Sequence, residues 1–253
     1  MFIPHVFVER DVQAGQVAVL GPDDAHHLAR VLRRRAGDPV VAVTPGGRRW
    51  LGRLVGGGAQ PLAVVAERPL PGSEPPLAIT LGQGLPKGPK MEEVIRHGTE
   101  VGVAEFVPVL ARRSVSRPAA GALAGRVERW RQIAREAARQ AQRSAVPRVQ
   151  PPCGLAELLG GSSWDLILMP WEEEESRGLY PLLQELARAW GRPARGRRVL
   201  ILIGPEGGWD PEEVEAARGA GARVVTLGPR ILRTETAGVL VAGLVLHALG
   251  DLG

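Results

Sequence analysis

One stretch decides the fold class: Val199-Leu200-Ile201-Leu202-Ile203-Gly204-Pro205-Glu206-Gly207-Gly208-Trp209-Asp210. Its first five residues are all apolar, which is typical of a strand buried on both faces of a parallel sheet. A helix is predicted over Pro211 to Arg218, with Asp210 as its N-cap and Glu213 completing a capping box. The intervening glycines would let a ligand approach the backbone amides. The stretch therefore predicts a ligand-binding loop at the carboxyl end of a parallel strand, with an ordinary strand–helix turn as the alternative.

A second loop of the same kind follows the next predicted strand, Arg223 to Leu227. It reads Gly228-Pro229-Arg230-Ile231-Leu232-Arg233, and a helix is predicted from Thr234, its expected N-cap, to Leu249. Both loops leave the same edge of the predicted sheet, so each strengthens the case for a binding site. Two arginines beside a helix start favour an anionic partner such as RNA phosphate, unless they pair with neighbouring carboxylates.

Several common sites are disfavoured. The G-x-G-x-x-G spacing is absent, which argues against a nicotinamide oxidoreductase, and no Gly-Lys-Ser/Thr follows either loop, which argues against a P-loop. Cys153 is the only cysteine and no metal-ligand spacing occurs, so neither a disulfide nor a metal is expected. No run of 18 apolar residues and no signal peptide is recognisable, which places the expected protein in the cytoplasm.

Strands alternate with helices from Leu77 onward, which predicts an α/β domain over residues 77–253. Residues 1–70 are rich in strand patterns, including a strand–turn–strand from Val40 to Val55, and are predicted to form a separate small domain. The proline-rich segment 71–76 is the predicted linker.

Two basic helices are predicted. In the first, Asp23 to Arg35, the residues Arg30, Arg33 and Arg34 share one face, which favours either RNA binding or pairing with Asp23 and Asp24.

The second helix covers about Gly125 to Ala145. Its residues Glu136, Gln140 and Arg143 are spaced at i, i+4 and i+7. They are expected to line an active cleft, or else to form an exposed salt-bridged face.

These motifs together resemble the family of 16S ribosomal RNA uridine N3-methyltransferases of the SPOUT superfamily. The resemblance is carried by Gly-Pro-Glu-Gly-Gly at 204–208 and by Leu-Gly-Pro-Arg-Ile-Leu-Arg-Thr-Glu-Thr-Ala at 227–237. Further matches are Lys87, Lys90, Met91, Glu92 and Thr99-Glu100-Val101-Gly102, and the helix from Arg129 to Pro147. The resemblance implies a parallel sheet with a C-terminal trefoil knot, a PUA-like β-barrel at the N-terminus, and a homodimer. The implied partners are S-adenosylmethionine and 16S ribosomal RNA or the small ribosomal subunit, with no membrane or DNA partner.

The resemblance also implies site residues. The expected cofactor-binding residues are Met169, Pro170, Trp171, Glu172, Ile203, Gly204, Pro205, Glu206, Gly207, Gly208, Leu227, Gly228, Ile231, Leu232, Arg233, Thr234 and Ala237. The expected RNA-binding residues are Arg30, Arg33, Arg34, Lys87, Lys90, Gln140, Arg143 and Arg230.

Chemistry adds a catalytic expectation. Uracil N3 is a poor nucleophile until its proton leaves, so a cation that stabilises the anion or a base that accepts the proton would help. Arg233 is the expected cation, and Glu235, with Glu206 as the alternative, is the expected carboxylate. A paired or stacked uridine would also have to be flipped out of the RNA. The alternatives are a SPOUT enzyme acting on another RNA such as tRNA, and a non-catalytic RNA-binding protein.

Overall fold

Two units make up the chain in the computed structural model, which describes residues 3–58, 60–114, 120–161 and 163–252. The first unit comprises Met1–Glu74 together with Ala138–Val146, and the second comprises Pro75–Ala137 together with Pro147–Gly253. The short segment 138–146 therefore belongs with the N-terminal unit in space, which the linear division predicted from the sequence does not include.

A five-stranded sheet forms the first unit. Its strands are β1 (His5–Phe7), β2 (Val17–Val19), β3 (Pro39–Val43), β4 (Arg49–Gly57) and β5 (Gln60–Leu70), in the spatial order β1-β3-β4-β5-β2. β1 runs parallel to β3, and the other neighbours are antiparallel. Alternating apolar side chains of these strands, including Val40, Trp50 and Leu54, pack on Leu28 to form the core. Closure of the sheet into a barrel stays a prediction.

The predicted strand–turn–strand is confirmed by β3 and β4. The connecting turn is closed by hydrogen bonds from Thr44 N to Arg48 O and from Gly47 N to Thr44 O, each 2.9 Å long. Gly47 has a φ of +73°, which an L side chain rarely adopts, so glycine suits this turn.

Six parallel strands form the sheet of the second unit. They are β6 (Ala78–Gly84), β7 (Glu105–Val109), β8 (Arg148–Val149), β9 (Leu166–Pro170), β10 (Arg198–Ile203) and β11 (Arg223–Val225). Their order is β11-β9-β10-β6-β7-β8, and every neighbouring pair is parallel. Val199 to Ile203 are all buried. The α/β class expected from this apolar stretch is confirmed.

Helices cover both faces of this sheet. In chain order the helices of the protein are α1 (Pro22–His26), α2 (Lys90–Val101), α3 (Ala120–Gln140), α4 (Leu155–Gly160), α5 (Leu179–Trp190), α6 (Pro211–Gly219) and α7 (Thr234–Leu249). Leu200 and Leu202 of β10 pack with α4 and α6 on one face, and α7 packs against β10 and β6 on the other. This double cover explains why β10 is apolar at successive positions. Within the described ranges, no helix is both long enough and apolar enough to cross a membrane.

The first basic helix is shorter than predicted. α1 ends at His26, one π-helical turn follows over His27–Val31, and Arg33 has a left-handed φ of +52°. Arg30, Arg33 and Arg34 therefore do not lie along one helix face, and that prediction is wrong. Arg30 and Arg33 are nevertheless exposed, whereas Arg34 is half-buried.

The second basic helix is displaced by about one turn from its predicted position. α3 ends at Gln140, and Gln142 has a φ of +57°, which breaks the helical repeat. Arg143 consequently lies beyond the helix, so the expected common face of Glu136, Gln140 and Arg143 does not exist. The amides of Ser144 and Ala145 donate to the Glu74 carboxylate instead of to helix carbonyls.

Candidate functional site

A cavity of about 420 Å³ opens at the carboxyl edge of the parallel sheet in the second unit. Its walls come from the ends of β9, β10 and β11, the loops that follow them, and the first turn of α7. The lining residues are Lys90, Pro170, Trp171, Glu172, Ile203, Gly204, Pro205, Glu206, Gly208, Thr226, Leu227, Gly228, Arg230, Ile231, Leu232, Arg233, Thr234 and Ala237. Its volume lies in the range of about 300–1,000 Å³ typical of small-molecule sites.

The loop after β10 is shaped by close backbone approaches. Gly208 has a φ of +69°, and a Cβ added there would lie 1.9 Å from Glu172 Oε1. The Glu172 carboxylate therefore lies directly against the glycine backbone in the cavity wall. A Cβ on Gly204 would lie 3.1 Å from the Gly208 carbonyl carbon, so the loop folds tightly back on itself. Asp210 and Glu213 form the predicted capping box at the start of α6, which is confirmed.

The loop after β11 is open towards the cavity. The Gly228 amide donates to Thr226 Oγ1 at 3.2 Å, and Gly228 has a φ of +93°. A Cβ at Gly228 would meet no atom within 4 Å, so the space beside this backbone is available to a ligand. Ile231 is 85% exposed at the rim, between the exposed arginines Arg230 and Arg233.

Opposite charges meet beside the first loop. Lys90 Nζ lies 2.9 Å from Glu206 Oε1 and 3.6 Å from Glu235 Oε2. Burial opposes ionisation of Glu206, but hydrogen bonds from Lys90 and from the amides of Glu206 and Lys87 outweigh it and hold the pKa of Glu206 below its ordinary value. The hydrogen bond to Glu206 raises the pKa of Lys90. Both groups are therefore charged at neutral pH, which makes Glu206 a weak proton acceptor.

Most of the expected cofactor residues line this cavity, but two do not. Met169 is fully buried in the core beneath it. Gly207 faces Arg113, since a Cβ on Gly207 would lie 3.2 Å from Arg113 Cβ. Of the expected catalytic pair, Arg233 lines the cavity, whereas Glu235 contacts Lys90 behind it with a side chain only 14% exposed.

The helix start also differs from its prediction. Arg233 occupies the N-cap position of α7, and Thr234 is the first helical residue. Thr234 is therefore not the N-cap, and its hydroxyl donates to Gly204 O at 2.6 Å.

The expected RNA-binding residues are scattered. Lys90 and Arg230 line the cavity, Lys87 is exposed next to it, and Gln140 is exposed at the end of α3. The prediction that Arg143 faces RNA is wrong, because its side chain is 5% exposed and pairs with Glu74.

Two residues close to the cavity were missed. Thr226 lines it, and Gln83, fully buried at the end of β6, donates through Nε2 to Thr234 Oγ1 at 2.7 Å. A polar amide near the end of a mostly apolar strand was the available signal for Gln83. Among the described residues no cluster of His, Cys, Asp and Glu could hold a metal ion.

The arrangement suits a ligand that combines apolar surface with hydrogen-bonding groups. The walls mix Ile203, Leu227 and Leu232 with backbone amides and charged groups. The indole Nε1–H of Trp171 is buried and has no hydrogen-bond partner within the described part of the chain.

Comparison with known proteins defines the class first. Residues 73–246 match the family described as RNA methyltransferase domain, and residues 20–67 match the family described as RNA methyltransferase PUA domain. The parallel sheet and its edge cavity thus form an RNA methyltransferase domain.

Individual relatives refine this class. The chain is 36% identical over 219 residues to ribosomal RNA small subunit methyltransferase E of Synechocystis, covering 84% of this chain and 67% of the relative. It is 33% identical over 217 residues to the protein of that name from Bacillus subtilis, covering 85% of this chain and 84% of the relative. The chain belongs to the ribosomal RNA small subunit methyltransferase E family.

A solved structure agrees with this assignment. The ribosomal RNA small subunit methyltransferase E from Neisseria gonorrhoeae, crystallised bound to S-adenosyl methionine, superposes with a TM-score of 0.84 at 27% identity over the whole of both chains.

Proposed function

We propose that this protein transfers the methyl group of S-adenosylmethionine to N3 of a uridine in 16S ribosomal RNA of the small subunit. The observation that carries the proposal is the edge cavity, built from the two glycine loops at the ends of β10 and β11. Family membership supplies the reaction class, and the bound molecule in the Neisseria gonorrhoeae relative supplies the methyl donor. The choice of N3 rests on the resemblance of the two loops to uridine N3-methyltransferases.

The residues present fit this donor. Gly228 leaves open space beside its backbone, and Ile203 and Leu232 supply apolar walls. Glu172, an exposed carboxylate against Gly208, complements a positively charged ligand. When bound, S-adenosylmethionine supplies an electrophilic methyl group. The protein holds the reacting partners in near-attack geometry.

The chain's cations act on the uracil. Arg233 at the cavity rim precedes the N-terminus of α7, where both the guanidinium and the helix dipole favour negative charge. In our proposal the N3 proton is released to solvent water, and Arg233 stabilises the uracil anion that remains. Lys90 adds a second positive charge, oriented by Glu206 and Glu235. Glu235 does not line the cavity, so we assign it a positioning role towards Lys90 rather than direct proton acceptance.

RNA binding is assigned to both units. The first unit contributes the segment that matches the PUA family, with Arg30 and Arg33 exposed on it. Lys87, Arg230 and Gln140 add exposed polar groups. Guanidinium and ammonium groups of this kind bind phosphate in a salt-dependent way.

The trefoil knot, the homodimer and the cytoplasmic location stay predictions. The homodimer is supported by Leu240 and Leu244, which are 43% and 41% exposed one turn apart on α7. Light scattering at micromolar concentration should give twice the chain mass, and a monomeric mass would contradict the proposal.

The proposed reaction is tested with radiolabelled S-adenosylmethionine and defined RNAs. Label should enter small-subunit ribosomal RNA or the assembled subunit, but not tRNA, and nucleoside analysis should identify N3-methyluridine. Label in tRNA would favour the alternative of a related enzyme with another substrate. Absence of label in every RNA, with RNA binding retained, would favour a non-catalytic RNA-binding protein.

A further inference from the structure

A buried hydrogen-bond relay joins the two cavity loops from outside the cavity. Gln83 Nε2 donates to Thr234 Oγ1 at 2.7 Å, and Thr234 Oγ1 donates to Gly204 O at 2.6 Å. Gln83 Nε2 also lies 3.1 Å from Gly84 O and 3.5 Å from Gly204 O. Gly204 belongs to the loop after β10, and Thr234 ends the loop after β11. One amide therefore connects the ends of β6 and β10 with the start of α7.

The direction of this relay is determined by its acceptors. Three oxygen atoms surround one end of the Gln83 amide, and two of them are carbonyl oxygens that can only accept. Only the NH₂ group satisfies them, so the opposite orientation of the amide is excluded. The Thr234 hydroxyl accepts a hydrogen bond from Gln83 and donates one to Gly204 O. These two bonds also fix the Thr234 rotamer.

Burial of the Gln83 amide carries a cost, because only one of its two polar atoms is hydrogen-bonded. Its side chain is 0% exposed, and its Oε1 has no hydrogen-bond partner within the described residues. Room for this amide is provided by Gly238 of α7, where an added Cβ would lie 3.3 Å from Oε1. An apolar side chain of the same length would remove the unpaired oxygen, but it would also remove the donor shared by Gly84 O, Gly204 O and Thr234 Oγ1, so the contribution of Gln83 lies in the groups that it joins.

We infer that Gln83 is a positioning residue which holds the two cavity loops at the spacing needed for the methyl donor, although Gln83 itself does not line the cavity. This inference rests on the proposed function. The relay fixes Gly204 and Thr234, both of which line the cavity, and so reduces the loop ordering that a ligand would otherwise have to impose. Loss of the relay should weaken ligand binding more than it weakens the fold.

The test variant is Gln83→Met, which keeps the length of the side chain and removes both polar atoms. The control is Thr80→Val on the same strand, which removes a part-buried hydrogen bond to Glu105 Oε2, 3.0 Å long and outside the cavity. Binding of S-adenosylhomocysteine is measured by calorimetry, and the thermal midpoint of the ligand-free protein is measured in parallel. Gln83→Met removes the hydrogen bonds that Nε2 donates and also the unpaired Oε1, so it should weaken binding about tenfold while the thermal midpoint stays close to wild type. Thr80→Val should leave the affinity unchanged.

A second variant keeps the inference testable if Gln83→Met does not fold. Thr234→Val removes the relay hydroxyl and should weaken binding to a similar degree. If the double variant Gln83→Met/Thr234→Val folds, its loss of binding free energy should be smaller than the sum of the two single losses, because both substitutions break the same relay. Wild-type affinity in Gln83→Met, or in Thr234→Val where only that variant folds, would overturn the inference. Failure of the wild-type protein to bind S-adenosylhomocysteine would instead count against the proposed function.

Discussion

The two units use their polar side chains in opposite ways. In the second unit, polar groups converge on the edge cavity: Glu206 and Glu235 both pair with Lys90, and Thr234 is hydrogen-bonded to Gly204. In the first unit, the buried Arg143 pairs with Glu74 and so ties two chain segments together, while Arg30 and Arg33 are exposed at the surface. A converging arrangement suits a small ligand, and a dispersed cationic surface suits a polyanion. Methyl-donor binding and RNA binding should therefore separate on mutation.

The largest loss of donor affinity is expected when a side chain fills the cavity. Gly228→Val should reduce S-adenosylmethionine affinity by about a thousandfold, on the order of 4 kcal/mol, because the side chain occupies the open space beside the loop. The control is Gly221→Val, since Gly221 has a similar φ of +88° and open surroundings but lies outside the cavity lining. Both variants should lose about 1–2 kcal/mol of stability through backbone strain. Equal affinities of the two variants, measured by calorimetry, would show that the loop does not bind the donor.

Removal of the rim cation should separate binding from chemistry. Arg233→Ala should lower kcat by about a hundredfold, because the anion on uracil loses a preorganised partner. The Arg233 side chain makes no cap hydrogen bond to α7, so stability should change little. Single-turnover methylation rates measure the effect, with the exposed Arg195→Ala as control. A kcat equal to that of the wild type would remove Arg233 from the mechanism.

Acid should lower the stability of the first unit specifically. Burial, and then the positive charge of Arg49, lower the pKa of His5 from 6.5 to about 4. Between those values the unfolded chain binds a proton that the folded chain does not, so stability is fully present above pH 6.5 and falls as the pH drops towards 4. The loss is on the order of 2–3 kcal/mol.

The His5→Gln variant tests this acid sensitivity. Its amide oxygen can still accept from Arg49 but does not titrate. In the wild type, hydrogen exchange at pH 4.5 should accelerate in β4 before β10, and the variant should lack this difference. The exposed His97→Gln serves as control. Equal acceleration in wild type and His5→Gln would contradict the assignment.

The smallest expected effect concerns RNA. Replacing Arg30 and Arg33 together by Ala should weaken RNA binding by about tenfold and flatten its salt dependence by up to about one log unit per lost phosphate contact. Donor affinity should stay at the wild-type value. The control Arg188→Ala removes an exposed arginine from α5 of the second unit. An equal loss of donor affinity would contradict the proposal that RNA binding and donor binding depend on different residues.

Local sequence patterns predicted the second unit best. Apolar runs defined its strands, and the glycine loops followed from their position at strand ends, because both depend on residues close together in the chain. The helix ends at Val31 and Gln140 were harder to predict. The helical spacing of side chains continues in the sequence, but the left-handed backbone at Arg33 and Gln142 ends the helix. Arg143 was placed wrongly for this reason. Gln83 could not be connected to its partner, because 151 residues separate it from Thr234.

The most direct test of the central claim is calorimetric titration of S-adenosylmethionine into the wild-type protein, with NAD titrated in parallel. The cavity of the second unit should bind one S-adenosylmethionine per chain and give no binding heat with NAD. The Arg30→Ala/Arg33→Ala variant should reproduce the wild-type curve, and Gly228→Val should lose it. Saturable binding of NAD, or no binding of S-adenosylmethionine to the wild-type protein, would contradict the account.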